Sequence, residues 1–205
     1  MLTQYASPGP RERHLETLLH STLRSLILTH AHPRSLIQLT LQILRTPSAA
    51  ASSAPVPQTA SHLPSLPPLL HTGLLALLNG NVPLTGTATS VLVALIGGGG
   101  KGSAVVLDPT EKEVAVASSL HVFAWSSRGE LVLAESEGAF EVEQWEEAAE
   151  AARKRCIGAK GGAAGDADVE MGDATGTGAV QSLDGWLRSS VAKELTDATR
   201  WRAEV

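Results

Sequence analysis

The 205-residue chain has one cysteine, Cys156, so it has no means of building an intrachain disulfide framework, and a reducing compartment is expected. No apolar stretch approaches the ~20 residues needed to span a bilayer. The start "MLTQYASPGPRERH" lacks the apolar core of a secretory signal. A soluble, unsecreted protein with no membrane partner is therefore expected. A basic excess is also missing: the formal net charge is −5, which excludes bulk electrostatic attraction to nucleic acid and leaves local basic patches as the route to RNA. Aromatic residues make up only 3% of the chain, against eleven prolines and nineteen glycines. With 43% hydrophobic residues, that balance describes a folded core carrying irregular segments.

The core elements show in the hydrophobic spacing. Residues 11–29 place Leu15, Leu18, Leu19, Leu23, Leu26 and Ile27 on one helical face. Pro33 ends that pattern, and "LIQLTLQIL" (36–44) then alternates apolar and polar residues as a strand does. Residues 45–64 are biased to Pro, Ala and Ser and read as a flexible insertion. Residues 65–81 form a nearly all-apolar helix, with prolines in its first turn and Asn79-Gly80 at its end. Strands are expected at Thr89–Ile96, Ala104–Leu107, Glu113–Trp125 and Glu130–Ser136, the last two joined by "SSRG". Residues 141–156 form a helix with acid early and base late, suited to its dipole. Residues 157–180 read as a disordered acidic linker, and 181–205 as an amphipathic helix behind Ser182. The domain layout is thus a loose start at 1–10, a folded unit at 11–156, the linker, and the terminal helix.

The run "GGGGKGS" (97–103) invites comparison with a phosphate-binding loop. That motif needs Gly, four residues, then Gly-Lys-Ser/Thr between a strand and a helix. Here Gly102 follows Lys101, Leu95 stands where the first glycine belongs, and a strand comes next. A hairpin connection with a solvated Lys101 is the reading. His30 and His32 lack partners at a metal-binding spacing, and Cys156 sits in a basic stretch with no nucleophile signature around it, as an exposed bystander. Asp108, Glu111 and Glu113 could offer hard oxygen ligands to Mg²⁺, and a solvated turn accounts for them equally well. Two basic sets, Arg11, Arg13, Arg24 and Arg34, and Arg153, Lys154 and Arg155, could meet RNA phosphates, the first more than the second.

Several stretches taken in order, "RHLETLLHSTLRSLIL", "HPRSLIQLTLQIL", the apolar helix ending in "NGNVPL", "VLDPTEKEVAVASSLHVFA" and "GELVLAESEGAFEVEQWEEAAEAA", resemble the ribonuclease PH family. The form is that of eukaryotic RNA exosome ring subunits. The resemblance covers about residues 11–156 and implies an α/β (α+β two-layer) fold of the ribosomal protein S5 domain 2-like type. It also implies partners: other ribonuclease PH-like subunits in a hexameric ring, S1/KH cap subunits, and RNA. Localisation to nucleus, nucleolus and cytoplasm follows with it, and no cofactor is implied. Active members hold phosphate in a Gly-Thr/Ser-Arg-type loop before the buried helix, where this chain has Ser61-His62-Leu63-Pro64. They hold a metal with two aspartates whose positions fall at Lys112 and Ser118. The resemblance therefore implies a non-catalytic ring subunit. An active phosphorolytic exoribonuclease and a truncated, non-functional product are the alternatives. Members carry further strands before the helix that begins here near Arg11, so an N-terminally incomplete fold with an exposed sheet edge and weak stability alone is expected.

Overall fold

The computed structural model describes residues 10–44, 62–97, 104–158 and 182–203. Helix α1 spans Pro10–Leu26, α2 spans Leu66–Asn79, and four strands follow at β1 (Ala88–Ile96), β2 (Ala104–Leu107), β3 (Ser119–Ser126) and β4 (Leu131–Gly138). A one-and-a-half-turn helix α3 (Glu111–Val116) lies between β2 and β3, and α4 (Val142–Ile157) and α5 (Leu183–Ala203) close the order. The strands form one antiparallel sheet in the order β2-β1-β3-β4. Among the described residues no helix is long and apolar enough to cross a membrane.

The expected α/β class holds, with one addition: helices cover both faces of the sheet. Leu92, Val122, Ala124 and Leu133 pack on α1 and α2 through Leu15, Leu19, Leu23, Leu66 and Leu70. Their neighbours Val91, Val93, Leu95 and Phe123 point the other way, onto Ala148, Ala152 and Cys156 of α4. A strand covered on both sides reads as a continuous apolar run rather than an alternating one, which is why "ATSVLVAL" of β1 is buried throughout. Gly73 allows the closest helix approach: a Cβ there would lie 3.1 Å from Leu23 Cδ1 and 3.3 Å from Leu39 Cδ2. β2 pairs only with Val93–Ile96. Beyond its end, His71 of α2 reaches the bare β1 edge, its Nε2 accepting the Ser90 N–H at 2.9 Å. Burial lowers the His71 pKa, with Asp108 opposing, so the ring is held in the neutral form that can accept.

Three sequence expectations need correction. Residues 36–44 pair with no strand among the described residues; Leu39 and Leu41 seat on the core while Leu36 and Leu44 are each 87% exposed. Alternation reports which face is buried, and a ladder also needs a partner backbone. The expected strand from Glu113 begins instead at Ser119, because Thr110 and Glu113 form a capping box that starts α3. Cys156 is not exposed: it is fully buried against β1, and burial pushes its thiol up to about 12. The thiolate needed for reactivity is thereby withheld.

The antiparallel β1–β2 pairing fits the expected hairpin, while its connection, Gly98 to Ser103 with Lys101, lies outside the described residues, as do 45–61 and the acidic linker up to Gln181. The ends of that linker meet, since a Cβ on Gly158 would lie 3.7 Å from Ser182 Cβ. From there α5 docks by Leu183 and Leu187, and the Thr87 hydroxyl donates to Asp184 at 2.6 Å. Further along, Leu195 is 65% exposed.

Candidate functional site

The entrance to α2 is the place where an anion site would be built, because a helix N-terminus gathers unpaired N–H groups and the positive end of the dipole. Here the donors are accounted for. The chain turns through a 3-10 segment, Leu63–Ser65, before the helix. The Ser65 N–H returns to the His62 carbonyl at 3.0 Å, and the Leu66 N–H returns to the Leu63 carbonyl. Pro67 and Pro68 occupy the next two positions and have no N–H at all. The four groups that normally face an anion thus offer nothing. Ser65 Oγ is committed to the His62 carbonyl at 2.7 Å. His62 turns its Nε2 inward, where it meets no partner among the described residues.

The structure does bring the two motif regions together. Leu63 packs with Val114, Ala117, Ala94 and Leu120 in one apolar cluster, so the turn before α2 and the helix α3 are neighbours. Around that cluster the expected roles are otherwise filled. Lys112 is exposed on α3. Ser118 donates both its N–H and its hydroxyl to the Leu95 carbonyl, at 2.8 and 2.9 Å, closing the bend into β3. Pro64 is part-buried within the turn, and Ser61 lies outside the described residues.

The acids considered as metal ligands do not converge. The Glu113 carboxylate accepts from the Thr110 N–H at 2.6 Å and from the Thr110 hydroxyl at 2.8 Å, and these bonds lower its pKa. Asp108, in a left-handed conformation at φ 51°, faces Arg155 at 3.9 Å, and Glu111 is exposed on the first turn of α3. Among the described residues no three His, Cys, Asp or Glu side chains form a metal-holding group, His30 and His32 included. Of the first basic set, Arg13 and Arg24 are exposed on α1, eleven residues apart and so on one face about 16 Å from each other. Arg34 is exposed beyond the turn at φ 59°. The side chain of Arg11 lies outside the described residues. In the second set, Arg153 sits 5.6 Å from the centre of the Trp125 ring, and Lys154 pairs with Glu150.

One polar constellation was not legible locally. His121 is fully buried, its Nε2 2.9 Å from Ser119 Oγ and its Nδ1 2.9 Å from Ser136 Oγ, which also accepts from the Trp145 indole N–H at 3.2 Å. Ser119 shares a strand face with His121, which is the period-2 signal; Ser136 arrives through the β4 register, which has no local signal. A serine beside a histidine could suggest nucleophilic chemistry, but Ser119 and His121 are 0% exposed and beyond the reach of any substrate. Burial moves the His121 pKa from 6.5 to about 4. The folded state therefore holds a neutral ring, and the unfolded chain takes up the proton first. Its contribution is complete above pH 6.5 and is lost as pH falls through about 4, amounting to at most about 3 kcal/mol. Urea denaturation of the wild type and of His121→Gln should converge as pH falls from 7 to 4.5. A gap that is constant over that range would contradict the assignment.

Comparison with known proteins gives a family match over part of the chain: residues 86–155 match the family described as 3′ exoribonuclease family, domain 2. The match runs from just before β1 almost to the end of α4, so it coincides with the sheet and the helix on its second face. The chain is similar to Exosome complex component RRP46 of Saccharomyces cerevisiae, 28% identical over 152 residues, covering 71% of this chain and 63% of that protein. A crystal structure of rice (Oryza sativa) Rrp46 shares the fold at a TM-score of 0.56 and 19% identity, covering 73% of this chain and 60% of the rice chain. The chain thus spans less than two thirds of the length of either.

Proposed function

We propose that this chain is a structural, non-catalytic subunit of an RNA exosome ring, in nucleus, nucleolus and cytoplasm, supporting 3′–5′ RNA processing and decay through its protein interfaces. Its neighbours would be other ribonuclease PH-type subunits and S1/KH cap subunits. Similarity to RRP46 supports the ring assignment. The observation that carries the non-catalytic reading is the α2 entrance, whose first four backbone positions have no N–H left for phosphate. Lys112 adds a positive charge where a metal would need a carboxylate. Arg13, Arg24 and Arg34 are exposed, and the separation of Arg13 and Arg24 along one face of α1 suits contact with successive phosphates rather than a clamp on one group.

The test has two arms. Affinity purification through this subunit from its own cells should recover other ribonuclease PH-type chains; their absence would refute ring membership. Incubation of the purified chain with RNA and inorganic phosphate should release no nucleoside diphosphate above background. Phosphate-dependent release that disappears in Asp108→Asn would instead establish the phosphorolytic alternative.

A further inference from the structure

The two edges of the sheet are not equally open. On one side β2 offers four residues, and beyond it His71 and Asp108 take up groups of β1. On the other side β4 runs for eight residues and makes no outward backbone hydrogen bond among the described residues. The ladder alternation fixes which of its groups face out. The Ala139 N–H donates to the Ser118 carbonyl, so Leu133, Glu135 and Glu137 bond inward to β3, and the N–H and C=O groups of Ala134 and Ser136 point away from it. The irregularity opposite Ala124/Trp125 comes before this stretch and leaves it a regular template.

Open edges are commonly guarded by cover or by charge, and here the charge is of one sign. From Glu130 to Glu150 the chain carries eight glutamates and no lysine or arginine. Glu135 and Glu137 share the sheet face of Leu133, the α1 and α2 side, and neither forms an ion pair with a described residue. The opposite face differs. Its edge residues Ala134 and Ser136 are small, and beside them stand Phe140, 41% exposed and edge-on to His121, and Trp145, whose indole reaches Ser136. A second β4 laid antiparallel about Ser136 would set Glu135 against Glu137 twice, so the edge rejects its own kind. It repels nucleic acid as well. We propose that β4 is a docking edge for an extended basic segment of a partner protein, which adds antiparallel as a further strand. Its lysines or arginines stand opposite Glu135 and Glu137, and its apolar side chains stand opposite Ala134 and Ser136, on the face that carries Phe140 and Trp145. Main-chain bonds supply affinity, and the alternation of basic and apolar residues selects the partner. Such docking does not require ring membership.

The probe is a fluorescent peptide alternating lysine and valine, matched in length to β4, added to the full chain. It should bind saturably, and a peptide of the same composition with its lysines in one block should bind at least about tenfold more weakly. On binding, amide hydrogen exchange should slow at Ala134 and Ser136, whose N–H groups face out, and change less at Glu135, which is already bonded to β3. Glu135→Lys with Glu137→Lys should weaken binding of the lysine peptide by about tenfold or more and create binding of a peptide alternating glutamate and valine. Ala134→Pro removes an outward N–H that carries no bond in the free chain, so thermal unfolding should be unchanged while peptide binding falls. Absence of saturable binding, equal binding of the alternating and blocked peptides, or binding without slowed exchange at Ala134 and Ser136 would each overturn the proposal. A charge-reversed variant that still prefers the lysine peptide would do the same.

Discussion

Replacing Phe123 with alanine is expected to lower the unfolding free energy by about 3–5 kcal/mol. The ring is fully buried on the α4 face of the central β3 strand, its centroid 6.0 Å from His121 and 5.4 Å from Trp145 in an edge arrangement. It is paired across the ladder with Val91 of β1 and Ala134 of β4. The facing positions on α4, Ala148 and Ala152, are already small and 0% exposed. The space cannot be refilled by a side chain that swings in, so the helix would have to approach the sheet as a body. Domains of this size have a total stability of about 5–15 kcal/mol, so the variant should keep little of it. Urea denaturation at pH 7, followed by tryptophan fluorescence, measures the loss directly. A cost below about 1 kcal/mol would mean that the α4 layer is not packed as described.

The elements that were legible in the sequence are those whose signal is local. Helix α1 shows its leucine stripe, α2 its apolar run between prolines and Asn79-Gly80, and α4 its charge gradient; the hairpin of β3 and β4 turns at Ser127-Arg128 as expected. Helix α3 had a local signal too, Thr110 followed three residues later by Glu113, which the strand-like run "VAVASSLHVFAW" outweighs unless the capping box is sought. Other features had none. Whether "LIQLTLQIL" finds a partner strand, whether Cys156 is covered by β1, and whether Ser136 reaches His121 all depend on contacts between distant segments. The basic text around Cys156 pointed outward, while its helical position pointed inward with Ala148 and Ala152 at four-residue spacing. Burial followed the spacing.

The candidate site divides in the same way. Leu63, Pro64, Pro67 and Pro68 are plain in the sequence, where the two later prolines read as residues a first helical turn tolerates. Their chemical consequence needed the geometry: a proline-bearing first turn can still bind an anion through its N-cap and first residue, and here those two N–H groups fold back onto His62 and Leu63. The proximity of Leu63 to α3 likewise required the fold, since about fifty residues separate them in the chain and the 94–120 strand ends bring them together.

The bend that closes this cluster rests on Gly138, and Gly138→Ala is expected to cost about 3–4 kcal/mol. Gly138 adopts φ 109° and pairs with Ser119 at the end of the β3–β4 ladder. A Cβ there would lie 2.5 Å from the Ser118 carbonyl oxygen and 2.7 Å from Ser119 Cα, both backbone atoms that cannot rotate away. To make room Ser118 must shift, and its two hydrogen bonds to the Leu95 carbonyl and the one it accepts from the Ala139 N–H shift with it. Gly129→Ala separates this clash from the cost of the left-handed backbone alone. Gly129 also has positive φ, at 86°, but a Cβ there meets nothing nearer than Arg153 Nη2 at 3.9 Å. That variant should lose only about 1 kcal/mol. Hydrogen exchange should quicken at Ser118 and Ala139 in Gly138→Ala and stay unchanged there in Gly129→Ala. Equal destabilisation by the two substitutions would show that the close approach of β4 to Ser118 does not hold the bend.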